Sequence, residues 1–213
     1  MPSTLEASEN ESESRRLARI LRDATAGTEE SAERASARLA QRAEEAGLVD
    51  VLYATTDSPL GTLLVAVSRR GVVRVAYPEE EEVLQGLADT VSPRILQSTR
   101  ATQDVRRQLE EYFAGQRHTF DVQVDLSVVQ GFTRKVLRAT TRIPFGSVLT
   151  YTQVAGRAGN ARASRAAGNA LHANPIPIVV PCHRVVRSGG GLGGYGGTIA
   201  RKVALLRLEG ALS

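Results

Sequence analysis

Cys182 is the only cysteine in 213 residues, and it stands between Pro181 and His183, one of three histidines with His118 and His172. Two chemistries are open to it. A lone cysteine is commonly a small buried hydrophobe. A thiol beside a base can instead be a nucleophile, because a nearby imidazole or helix N-terminus lowers its pKa and the thiolate is the reactive form. Neighbours in sequence need not have neighbouring side chains, so the pair alone does not decide. One cysteine does exclude an internal disulfide, and with only three histidines it excludes a structural zinc site of several thiolates.

Charge along the chain adds a second signal. Residues 1–46 carry a net −3, residues 47–126 a net −4 and residues 127–213 a net +11, with Glu209 the single carboxylate of that last segment. A field of one sign attracts polyanions and makes their binding salt-dependent, which points to nucleic acid. A basic surface with no dedicated partner is the plainer alternative. No apolar run approaches the ~20 residues of a membrane span. The opening "MPSTLEASENESES" is polar and acidic where a signal peptide is basic and then apolar. A cytosolic protein with no membrane partner is expected.

The elements that must position the cysteine can be read in three stretches. Residues 1–47 form an arm rich in Ala, Glu, Arg and Ser, disordered or loosely helical, with "SAERASARLAQRAEEAG" ending at Gly47. Residues 48–127 predict a small α+β domain. "GTLLVAVSRRGVVRVAYP" has two β-branched runs about a turn and reads as a hairpin. "TQDVRRQLEEYFAGQ" places Val105, Leu109, Tyr112 and Phe113 on one helical face, and "TFDVQVDLS" alternates as a strand does.

Residues 128–213 predict a mostly helical domain. One helix carries Phe132, Val136 and Leu137 inward and closes at Ile143-Pro144. Thr150 to Gln153 fits a capping box opening a helix that runs to about Ala158. Gly159-Asn160 offers a turn and an N-cap for a second helix ending at Asn174-Pro175. Two short helices about a tight turn make a helix-turn-helix pattern. Ala163, Ala166, Ala167 and Ala170 would leave the second helix a smooth face for a bulky partner, with Arg162 and Arg165 beside it; an ordinary Ala-rich core helix is the alternative. "IPIVV" reads as a strand leading to Cys182. "SGGGLGGYGG" has seven glycines among residues 189–197 and could approach a planar ligand closely. "TIARKVALLRLEG" predicts a last helix with Ile199, Val203 and Leu206 inward.

The run "NPIPIVVPCHRVVRSGG", the "GYGG" that follows and the final "LLRLEG" resemble the active-site segment of the O6-alkylguanine-DNA alkyltransferases, or methylated-DNA–protein-cysteine methyltransferases. The likeness runs from about Val51 to Glu209 and is strongest over 131–209. It implies direct-reversal repair: one alkyl group moves from guanine O6, or thymine O4, to the cysteine, after the base is flipped out of double-stranded DNA. By this resemblance Cys182 is the acceptor, His183 takes its proton through a water, Glu209 orients His183, and Asn174 braces the turn. Arg165 fills the vacated base stack from a helix in the minor groove. Tyr151 crowds the 3′ phosphate and assists protonation at guanine N3.

The resemblance also makes Tyr195, Gly196 and Gly197 a wall of the alkyl pocket, with the Gly196 amide near O6. The Cys182 and Val185 carbonyls would read the exocyclic amine, and Lys202 would sit near the loop. Gly196 replaces a serine of some relatives, and Leu171 and His172 depart from the commoner residues at the end of the recognition helix. A thioether is a poor leaving group, so each molecule acts once. No cofactor or metal is implied, and a monomer is expected. A non-enzymatic DNA-binding regulator is the alternative from another class, and a Cys-His hydrolase a third.

Overall fold

The computed structural model describes residues 34–77, 83–196 and 198–212. The apolar residues Leu17, Ile20 and Leu21 of the arm lie outside them. Residues 34–45 form a helix, α1, which belongs to a unit ending at Ala46. Gly47, at a φ of 68°, takes the left-handed conformation that closes a helix at low cost, as its position in the sequence predicts.

Residues 47–213 form the second unit. It begins with a four-stranded sheet: β1 (Val51–Thr56), β2 (Leu63–Ser68), β3 (Gly71–Ala76) and β4 (Ile95–Gln97), in the order β3-β2-β1-β4. The β2–β3 hairpin is the one expected, antiparallel about Arg69-Arg70, and β4 lies parallel to β1. Alternation divides the sheet into two faces. Leu64, Ala66, Val73 and Ala76 meet Val83 and Leu87 of α2 (Val83–Thr90), while Leu63, Val65 and Val75 face the main core. There they meet α3 (Gln103–Phe113), whose Val105, Leu109 and Tyr112 are buried.

The expected strand over "TFDVQVDLS" does not form. Val124 makes one isolated bridge to Val72, and Asp125 then turns its carboxylate back to accept from Ser68 Oγ at 2.7 Å and Ser127 N at 2.9 Å. Gly71 has to be glycine for this segment to lie against β3. Its φ is 125°, and a Cβ there would come within 2.3 Å of the Gln123 carbonyl oxygen.

The helical half carries α4 (Gly131–Thr140), α5 (Tyr151–Arg157), α6 (Ser164–His172) and α7 (Ile199–Leu208). The capping box is present in full: Thr150 Oγ1 accepts from Gln153 N at 3.3 Å and Gln153 Oε1 accepts from Thr150 N at 2.7 Å. The second helix starts later than expected. Asn160 Oδ1 accepts from Arg162 N at 3.2 Å, a local turn that competes with helix, so Arg162 precedes α6 and Ala163 is its N-cap. The short strand β5 (Leu149–Thr150) pairs in parallel with β6 (Val185–Val186), which ties the start of α5 to the chain just after Cys182. Among the described residues no helix is long and apolar enough to cross a membrane.

Candidate active site

Cys182 opens a single 3-10 turn, Cys182–Arg184, and the "IPIVV" before it is not a strand. A β-branched run favours strand only where a partner edge is free. Here Val180 N returns to the Ile176 carbonyl at 2.9 Å, Pro177 bridges Val180, and Ile178 takes a φ of 73°. A buried β-branched residue with positive φ is strained by about 1–3 kcal/mol. That strain is held by packing, since Ile176, Ile178 and Val180 are all fully buried. Asn174 fastens the same turn: its Oδ1 accepts from Ile176 N at 3.1 Å, and its Nδ2 donates to the Val180 carbonyl at 2.9 Å and to Cys182 Sγ at 3.1 Å.

Beneath the turn lies a buried polar cluster around Glu209, the C-cap of α7. Its Oε1 accepts from Tyr112 Oη at 2.6 Å and Arg184 Nη2 at 2.9 Å, and lies 2.8 Å from His183 Nε2. Its Oε2 accepts from Arg184 Nε at 2.8 Å and Gly146 N at 3.4 Å. Burial alone would raise the Glu209 pKa, but the hydrogen bonds from His183 and Arg184 hold it at about 2. Since Glu209 is ionised and can only accept, Nε2 of His183 must carry the hydrogen, and Nδ1 bears the lone pair. Nδ1 is buried with no protein hydrogen-bond partner. Burial lowers the His183 pKa against the pull of Glu209, so the imidazole is neutral at pH 7 and able to take a proton.

Burial pushes the Cys182 thiol up, opposed by the hydrogen bond from Asn174 and the charge of Lys202. The resting sulfur is therefore a protonated thiol in need of a base. Lys202 is fully buried, and burial brings its pKa down to about 8. Its Nζ donates to the carbonyls of Val185 at 2.5 Å, Leu192 at 2.5 Å and Gly194 at 3.4 Å, pinning the glycine-rich loop. Lys202 thus sits at the loop, as expected, and the Val185 carbonyl accepts from its amine. One expectation about α7 is corrected. The inward stripe of α7 is Lys202, Leu205 and Leu206, whereas Ile199 is 47% exposed.

A cavity of about 480 Å³ opens beside α6 and reaches Cys182 between Tyr151, Arg165, Leu171 and Tyr195. Arg165 sits exposed in the first turn of α6. Half-buried Tyr151 donates from its hydroxyl to the Gly194 carbonyl at 3.3 Å, and burial raises its pKa. Gly193 must be glycine, because its φ is 74° and a Cβ would lie 2.6 Å from the Tyr151 hydroxyl oxygen. Gly196 lines a second, smaller cavity at Cys182, and Gly197 lies outside the described residues. A larger cleft of about 850 Å³ runs past Arg138 of α4 and Arg142 in the turn after it, and does not have Cys182 in its wall.

The alanine face also needs correction. Ala167 and Ala170 are buried in the core, and of the four alanines only Ala166 is exposed on α6, with Ala163 half-buried at its start. Small residues here serve helix packing against α4 and α5 as much as any outer surface. Tyr112 and Arg184 are the members of the Glu209 cluster that sequence reasoning did not pick out. Arg184 stood in the quoted "PCHRVV" run, but nothing local pairs it with a carboxylate 25 residues on. Among the described residues no group of three or more His, Cys, Asp or Glu is placed to hold a metal ion.

Comparison with known proteins gives two family matches. Residues 51–126 match the ribonuclease-like domain of 6-O-methylguanine DNA methyltransferase, and residues 131–211 match its DNA binding domain. A methylated-DNA–protein-cysteine methyltransferase of Methanosarcina acetivorans is 36% identical over 159 residues, covering 75% of this chain and 98% of that protein. The constitutive one of Bacillus subtilis is 35% identical, over 74% of this chain and 94% of its own length. The crystal structure of the Mycobacterium tuberculosis O6-methylguanine methyltransferase is similar with a TM-score of 0.67 and 37% identity, over 76% of this chain and 94% of that one. A structure of the same organism's OGT in complex with DNA has a TM-score of 0.66, 37% identity and coverage of 75% and 93%.

Proposed function

The chain belongs to the methylated-DNA–protein-cysteine methyltransferases, and from that premise we propose how its own residues perform the transfer. It is a DNA-binding repair enzyme that moves a methyl group from O6-alkylguanine to its cysteine. The observation that carries the residue assignment is the position of Cys182, at the meeting of the cavity beside α6 and the buried His183–Glu209 pair.

His183 Nδ1 takes the thiol proton through one water, while Glu209 keeps the other ring nitrogen protonated and stabilises the imidazolium that forms. The sulfur attacks the alkyl carbon in line with the breaking C–O6 bond, and the electron pair moves to the guanine. Tyr151, whose phenol burial keeps protonated, donates towards guanine N3. Arg165 enters the stack that the flipped nucleotide leaves, and Ala166 with Arg162 faces the groove beside it. Tyr195 and Leu171 shape the pocket, and Gly196 presents its amide to O6. Lys202 holds the loop and draws the thiol towards ionisation. O4-alkylthymine is a second substrate of the same chemistry. The chain acts once, as a monomer without metal or cofactor, in the cytoplasm.

Incubation with a duplex bearing one O6-methylguanine, followed by intact-mass measurement, tests this reading. One methyl adduct at Cys182, at no more than one equivalent and absent from Cys182→Ala, is expected. Affinity for the duplex with no change of mass would mean a binding protein instead.

A further inference from the structure

Cys182 lines two cavities, and the second, smaller one shares Leu171, His172 and Tyr195 with the first but extends to Arg74 of β3. It measures about 150 Å³ and is walled by Arg74 of β3, Asn174, Pro177, Tyr195 and Gly196. At ~30 Å³ for each water of liquid it has room for about five such volumes. Its polar side chains are Arg74, Tyr77, His172, Asn174 and Tyr195. Asn174 uses both ends of its amide on Ile176, Val180 and Cys182, so it offers no spare donor hydrogen bond of note. Arg74 Nε and Tyr195 Oη are buried with no hydrogen-bond partner, and among the described residues no carboxylate stands in the wall. Burial keeps the Tyr195 phenol protonated, so it too is a donor. Buried unsatisfied donors are costly, and a cluster of them marks a place for an acceptor.

In-line displacement says which part of a substrate could reach them. As sulfur approaches the alkyl carbon from behind, the three remaining bonds of that carbon splay perpendicular to the S···C···O axis. A substituent longer than methyl must therefore leave sideways at Cys182, where the second cavity lies. We propose that this cavity is a specificity subsite for O6 substituents ending in a carboxylate, bound by Arg74 and the Tyr195 hydroxyl. The proposal rests on the repair reading above and concerns only the far end of the transferred group. The S–C bond forms as the C–O6 bond breaks, the electron pair stays with the guanine oxygen, and the thiol proton ends on the base. The carboxylate is unchanged throughout, so no oxidant or co-reactant is needed.

Single-turnover transfer to the full chain from duplexes carrying O6-methylguanine, O6-carboxymethylguanine or O6-propylguanine tests the subsite. The propyl group matches the carboxymethyl in length without its charge. Wild type should take carboxymethyl about tenfold faster than propyl, the size expected of one charge-assisted hydrogen bond. Arg74→Met should abolish that preference and leave methyl transfer within about twofold, and Arg74→Lys should restore part of it. An equal carboxymethyl-to-propyl ratio in wild type and Arg74→Met, with methyl transfer normal, overturns the subsite alone. Absence of methyl transfer in wild type overturns the repair reading beneath it. If Arg74→Met does not fold, the ratio in Arg74→Lys and Tyr195→Phe decides, and no fall in either counts against the proposal.

Discussion

Replacing Glu209 by glutamine is the sharpest test of the buried cluster. The carboxylate receives Tyr112 Oη, His183 Nε2, Arg184 Nη2, Arg184 Nε and Gly146 N, and every one of these is a donor. A carboxylate offers about four lone-pair sites, and an amide offers two together with two N–H groups. Whichever way the glutamine is turned, its NH2 faces donors and Arg184 keeps a buried charge without a counterion; its side chain is only 6% exposed. Breaking a buried pair from one side costs about 3–5 kcal/mol. For a chain of this length that lowers Tm by roughly 6–20 °C.

The pH dependence of that loss has a definite sign. The folded pKa of Glu209 is about 2, below its ordinary value of 4.5, so its stabilisation is complete above pH 4.5 and is lost as pH falls towards 2. Wild type and Glu209→Gln should therefore differ most at neutral pH and converge on acidification. In a double-mutant cycle, Arg184→Met with Glu209→Gln should cost less than the two single changes added, because each alone strands the other's polar groups. Transfer from O6-methylguanine should also slow by about 10²–10⁴, since the imidazole is no longer fixed with Nδ1 as its base. Thermal unfolding from pH 3 to 8 and single-turnover kinetics measure both effects. A glutamine variant within 1 °C of wild type at every pH, or strict additivity in the cycle, refutes the reasoning.

Two further perturbations separate the roles of charge and reach. Lys202→Met removes the cation that lowers the Cys182 pKa, so the pH midpoint for alkylation of Cys182 by iodoacetamide should move up; an unchanged profile would show that the amine serves the loop carbonyls alone. Arg165→Ala should slow transfer from duplex DNA much more than transfer from free O6-methylguanine if, as proposed, the exposed guanidinium acts on the stack and not on the thiol; equal slowing of both would sink the stack-filling role.

The features legible in the sequence are those whose cause lies within a few residues. The capping box of Thr150 and Gln153, the stop at Gly47 and the β2–β3 hairpin each follow from side chains and turns in local reach. Periodicity failed where burial is secured by a distant partner. Lys202 occupies the inward stripe of α7 because carbonyls at 185, 192 and 194 surround its amine, and no hydropathy pattern encodes that. The same holds for "IPIVV", whose β-branched residues promise a strand until Asn174 closes the turn and packing holds Ile178 at positive φ. The catalytic pairing is the extreme case. Tyr112 and Glu209 are 97 residues apart and share a hydrogen bond, so the sheet-side helix α3 and the last helix α7 must dock before His183 has its orienting carboxylate. On the proposed reading the proton acceptor for Cys182 is consequently a product of the assembled core, and damage to the α3 face should impair transfer even where it leaves α6, the helix assigned to DNA, unaltered.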